Sequence, residues 1–172
     1  MLIQQNVNGS NFFTFRFFNR SWAEYKVGFN DSVGNYWLGN ELLSKLTVNN
    51  GYKLKFDLQS RSNTSNWYYA EYSTFRVLTE ADNYRLQVGG YSGNAGNDAF
   101  GHTWHNSRMF STYDRDNDLS SSRHCAASRG GFWYRSCANC NVNGAGFYFF
   151  WAGLPGLGFL QSSRMWLQCK GF

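Results

Sequence analysis

The sequence predicts a single α+β domain over residues 1–172, and three observations support this prediction. Apolar and polar residues alternate along several segments, which is typical of β-strands with one buried face. Two short segments follow helix-capping signals. Aromatic residues make up 20% of the chain and Pro occurs once among 18 Gly, a composition that favours sheets joined by turns. A chain of this length can bury a sizeable core.

The N-terminal segment combines a predicted strand region with a predicted helix. Residues 1–18 are rich in β-forming residues, including several phenylalanines. Ser21 is followed three residues later by Glu24, which is the spacing of a capping box. This pattern predicts a short helix over residues 21–26 that ends at Gly28.

A second helix and a series of strands follow. Asn40 is predicted to cap a helix over residues 41–47, with an apolar face formed by Leu42, Leu43 and Leu46. Residues 52–58 alternate throughout and form the clearest predicted strand. Residues 67–78 predict one or two strands, and residues 84–88 predict another. The predicted core residues of the 67–78 segment are Ala70, Tyr72, Phe75 and Val77.

Regular patterning fades in the C-terminal half. Residues 89–96 are rich in Gly and predict a turn with positive φ angles. Residues 97–172 are predicted to be mostly loops, with short strands over residues 146–151 and 164–168. An irregular region of this length needs cross-links, such as disulfides or a metal ion, to be stable.

Charge and hydropathy exclude two classes of partner. The net charge is +5, but the basic residues are scattered and form no cluster of the kind that binds nucleic acid. The longest apolar stretch, residues 147–160, is interrupted by Gly and Pro, so no membrane span is predicted. The polar content is carried by Asn and Ser, which is typical of an extracellular recognition surface.

The sequence predicts that the protein is not an enzyme. Ser92 is not part of a GxSxG motif, because residue 94 is Asn where Gly is required. The glycine-rich residues 89–96 lack the GxGxxG and P-loop patterns. No nucleophile signature accompanies His102 or His105, so both are interpreted as structural or surface residues, although one sequence leaves a spatial triad open.

Three aspartates alternate along a polar loop at positions 114, 116 and 118. This spacing resembles the start of an EF-hand, but Leu119 stands where Gly is required and Cys125 where Glu is required. An EF-hand is therefore rejected. The residues alone leave two interpretations open, a calcium loop of another kind and a solvated acidic turn.

Four cysteines and four Asn-x-Ser/Thr triplets are consistent with a secreted protein. The cysteines are Cys125, Cys137, Cys140 and Cys169, and their even number favours two disulfides over a zinc or redox site. The candidate glycosylation sites are Asn8, Asn19, Asn30 and Asn63. No signal-peptide pattern is visible at the start of the given sequence. Aromatic residues in the C-terminal half, including Trp133, Tyr134 and Phe147, are open to interpretation as core residues or as the walls of a sugar-binding pocket.

Several motifs, taken in order, resemble the fibrinogen C-terminal domain family. They are residues 21–29 (SWAEYKVGF), 36–40 (YWLGN), 54–58 (LKFDL), 70–77 (AEYSTFRV), 84–96 (YRLQVGGYSGNAG), 109–118 (MFSTYDRDND), 131–137 (GFWYRSC) and 141–144 (NVNG). The resemblance covers most of the chain. It implies a twisted antiparallel sheet with short flanking helices and a loop-rich C-terminal lobe that binds calcium and ligand.

The resemblance also implies the residues of the site. The carboxylates of Asp116 and Asp118 would bind Ca²⁺, together with carbonyl oxygens near Ser120 and Ser122. Cys125 and Cys137 would form a disulfide, and the Ser136–Cys137 bond corresponds to a cis peptide in ficolin-like lectins. The ligand-binding residues would be Trp133, Tyr134, Ser136, Cys137, Ala138 and Phe147, with the aromatic rings as pocket walls.

The chain departs from the family pattern in several places. Ala138 replaces the His of acetyl-binding lectins, which removes a hydrogen-bond donor for an acetyl carbonyl. The spacing from Asp118 to Cys125 is one residue longer than in ficolins, and that from Cys125 to Cys137 is one shorter. The N-terminal disulfide of the family is absent, so we expect the domain to be truncated at its N-terminus. Cys140 and Cys169 lie outside the family pattern and are predicted to pair with each other.

The function that the resemblance implies is recognition. We expect a secreted, calcium-dependent, lectin-like domain that binds glycans in innate defence, with acetylated glycans among the candidate ligands. The alternative is a protein-binding module of the extracellular matrix or of signalling, of the tenascin or angiopoietin type. Oligomerisation through an N-terminal segment that this sequence lacks would raise avidity in either case.

Overall fold

The computed structural model describes residues 1–9, 17–101 and 103–171. Part of the strand region predicted over residues 1–18 lies outside the described residues, as does His102. None of the helices in the described ranges has the length and apolar character needed to cross a bilayer.

A seven-stranded sheet with antiparallel pairing organises the fold and confirms the predicted α+β class. Its strands are β1 (Leu2–Asn6), β2 (Phe29–Asn30), β3 (Tyr36–Trp37), β4 (Tyr52–Ser60), β5 (Trp67–Val77), β6 (Leu86–Gly93) and β9 (Leu160–Cys169). The spatial order is β2-β3-β1-β9-β4-β5-β6. The C-terminal strand β9 therefore lies between β1 and β4, where it pairs Trp166 with Leu2 and Lys55.

The alternation of residues in the strands explains which side is buried. In β4, Leu54, Phe56 and Leu58 are fully buried, whereas the residues between them are partly exposed. The four predicted core residues of β5 are also buried, namely Ala70, Tyr72, Phe75 and Val77. Both strands therefore present one apolar face to the core, as their period of two residues predicts.

Two helices flank the sheet. Helix α1 (Trp22–Val27) begins at the predicted capping box, in which Ser21 and Glu24 each accept a hydrogen bond from the other's backbone N–H. Helix α2 (Asn40–Thr47) differs from the prediction, because Gly39 precedes it and Asn40 is its first residue. The Asn40 side chain instead accepts a hydrogen bond from Trp37 Nε1 at 3.1 Å.

The apolar face of α2 is narrower than the sequence predicts. Leu43 is fully buried and Leu46 packs at the edge of the core. Leu42 is 44% exposed, so its assignment to the buried face is wrong. Adjacent positions on a helix are 100° apart, and a face centred on Leu43 turns Leu42 toward solvent.

The glycine-rich segment continues a strand rather than forming the predicted turn. Strand β6 extends through Gly93, and Gly90 and Gly93 adopt φ angles of 72° and 138° within it. A Cβ atom at Gly93 would lie 2.3 Å from the carbonyl oxygen of Tyr69 on the neighbouring strand. The glycines therefore allow close approach of β5 and β6.

Residues 94–159 form a region that we call the C-terminal lobe. It contains the short paired strands β7 (Cys140–Asn141) and β8 (Phe150–Trp151), together with short 3-10 turns such as Gly146–Tyr148. The predicted strand over residues 146–151 is thus reduced to its last two residues. The lobe is otherwise loop-like, as the sequence predicts.

Aromatic rings connect the lobe to the helices and the sheet. Phe110 is fully buried in the lobe, and its ring contacts those of Tyr25, Trp37 and Trp133, with centroids 5.1, 5.9 and 5.1 Å away. The Tyr25 hydroxyl donates a hydrogen bond to Phe18 O at 2.7 Å and accepts one from Gly131 N at 3.0 Å. A single side chain of α1 therefore holds two separate segments of backbone.

We expect Tyr25→Phe to lower the free energy of unfolding by about 1–3 kcal/mol, because the variant leaves the buried Phe18 carbonyl and Gly131 N–H without this partner. Denaturant unfolding measures the effect. Tyr113→Phe is the matched control, since Tyr113 is 46% exposed, and should change stability by less than about 0.5 kcal/mol. Equal stability of the two variants would contradict the role given to the Tyr25 hydroxyl.

Candidate ligand-binding site

A pocket of about 450 Å³ opens in the C-terminal lobe. Two segments, residues 119–123 and residues 136–138, provide most of its lining, and Trp104 and Arg129 complete it. The first segment includes Ser120 and Ser122, which were predicted near the metal. The second consists of Ser136, Cys137 and Ala138, which were predicted to bind ligand. The structure therefore brings parts of the two predicted sites to one surface.

A disulfide between Cys125 and Cys137 joins the two segments, which confirms the predicted pairing. The Cα atoms are 5.5 Å apart, in the usual range for a disulfide. Both residues are buried, and Cys125 begins the 3-10 turn Cys125–Ser128. Because their sulfurs are bonded to each other, these cysteines are not available as zinc ligands.

Backbone hydrogen bonds connect the same segments a second time. Leu119 N donates to Arg135 O at 2.7 Å, and Arg135 N donates to Cys137 O at 2.8 Å. The peptide bond between Ser136 and Cys137 is cis, as the resemblance implies. The backbone on both sides of Ser136 is therefore held in place, at Arg135 by the hydrogen bond from Leu119 and at Cys137 by the disulfide.

Asp114 anchors the acidic loop to helix α1. Its Oδ1 atom accepts hydrogen bonds from Trp22 N at 2.9 Å and from Thr112 Oγ1 at 2.7 Å. Both hydrogen bonds go to the same oxygen and tie the acidic loop to the start of α1. Asp114 is therefore a structural residue that positions the loop.

Asp118 connects the acidic loop to the pocket. Its Oδ1 accepts a hydrogen bond from Ser120 N at 2.7 Å, and its Oδ2 accepts one from Cys125 N at 2.8 Å. Asp116 lies beside it and accepts a hydrogen bond from Asp118 N at 3.1 Å. Burial raises the pKa of the Asp118 carboxyl, and the adjacent Asp116 carboxylate raises this pKa further.

The donor set of this loop fits calcium, the metal that the resemblance implies. Two neighbouring carboxylates, Asp116 and Asp118, repel each other, and a divalent cation would relieve that repulsion. Among the residues that the structure describes, no three or more His, Cys, Asp or Glu side chains form a group that could hold a metal. Further ligands would have to be carbonyl oxygens, such as those of Ser120 and Ser122, or water, which calcium accepts readily.

The predicted aromatic walls are wrong. Trp133 and Tyr134 are fully buried, and Trp133 Nε1 donates a hydrogen bond to Tyr84 O at 2.8 Å inside the core. Neither ring has a surface that a ligand could reach. Phe147 is 78% exposed but is not part of the pocket lining, and its ring packs against Phe159 with centroids 5.6 Å apart.

Five lining residues were not predicted from the sequence. They are Trp104, Leu119, Ser121, Arg123 and Arg129. The two arginines were not singled out, because the basic residues of the sequence were interpreted as scattered. The serine-rich turn and the disulfide bring them to the same pocket, which no local pattern reveals.

The predicted disulfide between Cys140 and Cys169 is wrong, because both cysteines are free. Cys140 is buried in β7, where it pairs with Trp151 of β8. Cys169 is exposed at the end of β9, where it pairs with Tyr52 of β4. The two residues belong to different sheets, and an even number of cysteines did not reveal this separation.

His105 supports the Ser136–Ala138 segment of the pocket from inside the core. It is fully buried, and its Nδ1 lies 2.7 Å from Trp133 O, so Nδ1 carries the proton because a carbonyl only accepts. Nε2 is then free to accept hydrogen bonds from Asn139 N at 3.3 Å and Cys140 N at 3.4 Å. These bonds hold the backbone that follows Ala138, and they confirm the interpretation of His105 as structural.

The candidate glycosylation sites differ in exposure. Asn30 and Asn63 are exposed, and Asn63 accepts a hydrogen bond from Ser65 N at 3.0 Å within its own triplet. Asn8 is also exposed and accepts a hydrogen bond from Gln161 Nε2 at 2.8 Å. Asn19 is half-buried. Their modification stays a prediction.

Comparison with known proteins gives matches over nearly the whole chain. The family model of the C-terminal globular domain of fibrinogen beta and gamma chains matches residues 1–168. Mouse microfibril-associated glycoprotein 4 is 37% identical over 177 aligned residues, which cover 99% of this chain and 63% of that protein. Human ficolin-3 is 39% identical over 127 residues, covering 74% of this chain and 41% of the ficolin. The chain thus spans less than two thirds of these curated relatives.

Solved structures agree with these matches. The fibrinogen-like globe domain of human ANGPTL6 superposes with a TM-score of 0.83 at 34% identity, and the alignment covers 99% of this chain and 78% of that one. The order of strands and the loop-rich lobe are therefore those of a fold already seen experimentally.

We expect stability to fall as the pH decreases from about 6.5 toward 4. Burial lowers the pKa of His105 to about 4 in the folded protein from 6.5, so the unfolded chain binds this proton first. The loss should reach about 1.4 kcal/mol per pH unit within this window. Denaturant unfolding of the wild type and of His105→Gln, each measured between pH 6.5 and pH 4, isolates the contribution of His105 to the pH dependence of stability. A variant that keeps the full wild-type slope would contradict the assignment.

Proposed function

The chain belongs to the fibrinogen C-terminal domain family, as its motifs predicted, and from this premise we propose that it is an extracellular, calcium-dependent recognition domain that binds glycans in innate defence. The pocket of the C-terminal lobe is the proposed binding site. The observation that carries the proposal is that residues 119–123, which follow the acidic loop, and the Ser136–Ala138 segment line one pocket although they are 13 or more residues apart in sequence, and that the Cys125–Cys137 disulfide links the chain beside them.

Polar groups dominate the proposed binding surface. Four serines line the pocket, at positions 120, 121, 122 and 136, and Trp104 contributes a partly exposed ring. Hydroxyl groups can donate to and accept from sugar hydroxyls, and an indole ring can pack against the CH face of a sugar. The pocket thus offers both kinds of contact that a glycan requires.

Calcium would act on the pocket through the loop that forms it. In this proposal Asp116 and Asp118 hold the ion together with the carbonyl oxygens of Ser120 and Ser122, and the ion supplies positive charge that orders the loop. Asp118 also accepts hydrogen bonds from Ser120 N and Cys125 N. Ordering of this carboxylate would therefore order the pocket wall without contact between ion and ligand.

Ala138 affects how strongly the pocket would bind an acetyl group. Its methyl side chain lines the pocket but cannot donate a hydrogen bond to an acetyl carbonyl. Glycan binding here would therefore rely on other groups of the pocket, and acetylated sugars would have no special advantage.

A matrix-binding role is the second candidate function. Microfibril-associated glycoprotein 4 aligns with 99% of this chain, and its name places it with microfibrils. A surface that binds protein would use the same lobe without sugar specificity. Binding to matrix proteins with no retention on any glycan would favour this role.

We expect calcium to raise the melting temperature by about 5–10 °C relative to excess chelator when calcium is at roughly 100 times its dissociation constant. Asp118→Asn should abolish the calcium-dependent increase. In chelator the variant should melt below the wild type, because Asn places an NH2 group where one carboxylate oxygen of Asp118 accepts a backbone N–H. Differential scanning calorimetry in both conditions measures the two effects.

Asp82→Asn is the control for this experiment. Asp82 is an exposed carboxylate on the 3-10 turn Glu80–Asp82, remote in sequence from the acidic loop. The Asp82→Asn variant should show the same calcium-dependent increase in melting temperature as the wild type. A wild-type protein whose melting temperature is the same in calcium and in chelator would rule out the proposed site.

We expect Ala138→His to increase retention on immobilised N-acetylglucosamine by about tenfold relative to wild type, because it restores one donor toward the acetyl carbonyl. Ala127→His is the matched control, since Ala127 is exposed on the Cys125–Ser128 turn and is not a lining residue. Free N-acetylglucosamine should elute the bound Ala138→His protein. Equal retention of all three proteins would mean that the pocket does not contact the sugar.

A further inference from the structure

The pocket carries positive charge and no lining carboxylate. Two of its ten lining residues, Arg123 and Arg129, are cationic, and none is Asp or Glu. A third arginine, Arg135, lies at the pocket's indole, with its guanidinium 5.8 Å from the centre of the Trp104 ring. Two guanidinium groups therefore line a space of about 450 Å³, and a third lies beside its indole ring.

These guanidinium groups are not neutralised by carboxylates. Within the described ranges, none of the ion pairs involves Arg123, Arg129 or Arg135. Other basic residues, such as Lys26 with Glu80, do form such pairs. The pocket arginines are thus available to an anion from outside, and two of them meet at one pocket.

Arg129 is held in place by contacts that leave its donors available. Its guanidinium lies over the Tyr148 ring, 4.4 Å from the ring centre, in a cation–π contact. Its carbonyl oxygen accepts hydrogen bonds from Asn141 Nδ2 at 2.8 Å and from the Tyr134 hydroxyl at 3.1 Å. Both the backbone and the side chain are therefore positioned before ligand arrives, which lowers the entropic cost of binding.

The carboxylate of Asp118, in the acidic loop, is hydrogen-bonded to backbone N–H groups. Both oxygens of Asp118 accept N–H groups, from Ser120 and from Cys125, and the carboxylate is not part of the pocket lining. The serine hydroxyls of the lining add neutral donors. An incoming oxyanion would meet guanidinium and hydroxyl donors, which is the set that binds carboxylate and sulfate groups.

We propose that the pocket selects acidic glycans, those that carry a carboxylate or a sulfate group, through Arg123 and Arg129. This inference rests on the proposed function and narrows it to one class of ligand. Arg129 supplies a preorganised guanidinium, Arg123 a second one, and the Trp104 ring an apolar surface for the sugar. The substitution of Ala at position 138 fits the same selection, because it removes a donor suited to neutral acetyl groups and leaves the charged donors.

The test compares three soluble probes with one sugar core: lactose, 3′-sialyllactose and lactose 3′-sulfate. Dissociation constants are measured by isothermal titration calorimetry in calcium at physiological salt. We expect at least one acidic probe to bind about tenfold or more tightly than lactose, and its affinity to fall as salt increases. The two acidic probes distinguish a carboxylate from a sulfate ligand.

Variants assign the effect to the pocket. Arg123→Gln and Arg129→Gln should each weaken binding of the acidic probe by about tenfold, and Arg129→Lys, which keeps the charge but not the planar donors, should weaken it less. Lys45→Gln is the control for net charge, because Lys45 is an exposed residue of α2 that does not line this pocket. Melting temperatures establish that each variant is folded.

The outcomes separate this inference from the proposed function. Binding of lactose and the acidic probes with equal affinity would overturn the selection for anions and leave glycan recognition standing. Loss of affinity in Lys45→Gln equal to that in the arginine variants would also overturn it, since the effect would then be one of net charge. If the folded, calcium-loaded protein binds none of the three probes, the inference is overturned. An acidic peptide that binds more tightly than the acidic sugars would also overturn it. Glycan recognition itself would be overturned if the protein bound nothing on a wider glycan array.

Discussion

The packing of aromatic rings around Phe110 is the interaction on which the rest of the structure depends. Phe110 comes from the lobe, Trp22 and Tyr25 from helix α1, and Trp37 from the sheet, and all are buried together. Large rings bury much surface for few rotatable bonds, so they order a loop-rich region at low entropic cost. These ring contacts attach the loop-rich lobe to the helix and the sheet.

The regular half of the fold was predictable because its information is local. The alternation in β4 and the capping box at Ser21 depend on residues close in sequence, and both were confirmed. Errors arose where a residue's role depends on a tertiary contact rather than on the local pattern. Asn40 has the side chain of a helix cap, but the nearby Trp37 indole uses its oxygen. Gly90 and Gly93 have the composition of a turn, but the strand beside them sets their conformation.

The site was predicted only in part, for the same reason. The family resemblance predicted that Ser136 and Ala138 lie at the pocket and that Cys137 is the disulfide partner of Cys125. Both predictions were possible because these residues lie in or next to recognisable sequence motifs. The resemblance misplaced Trp133 because a residue beside a pocket in sequence can point to the opposite side, into the core. The arginines of the pocket could not be identified from the sequence, since their proximity is created by irregular backbone rather than by periodicity.

The position of β9 in the middle of the sheet also determines when the fold can form. During synthesis, β1 and β4 leave the ribosome long before residues 160–169, yet each must pair with that strand. Until it arrives, both strands have an open edge that could pair with another chain. Contacts of such high sequence separation form slowly and favour aggregation-prone intermediates. A cell that makes this protein must therefore protect a half-built sheet, and an oxidising compartment supplied with chaperones suits that need.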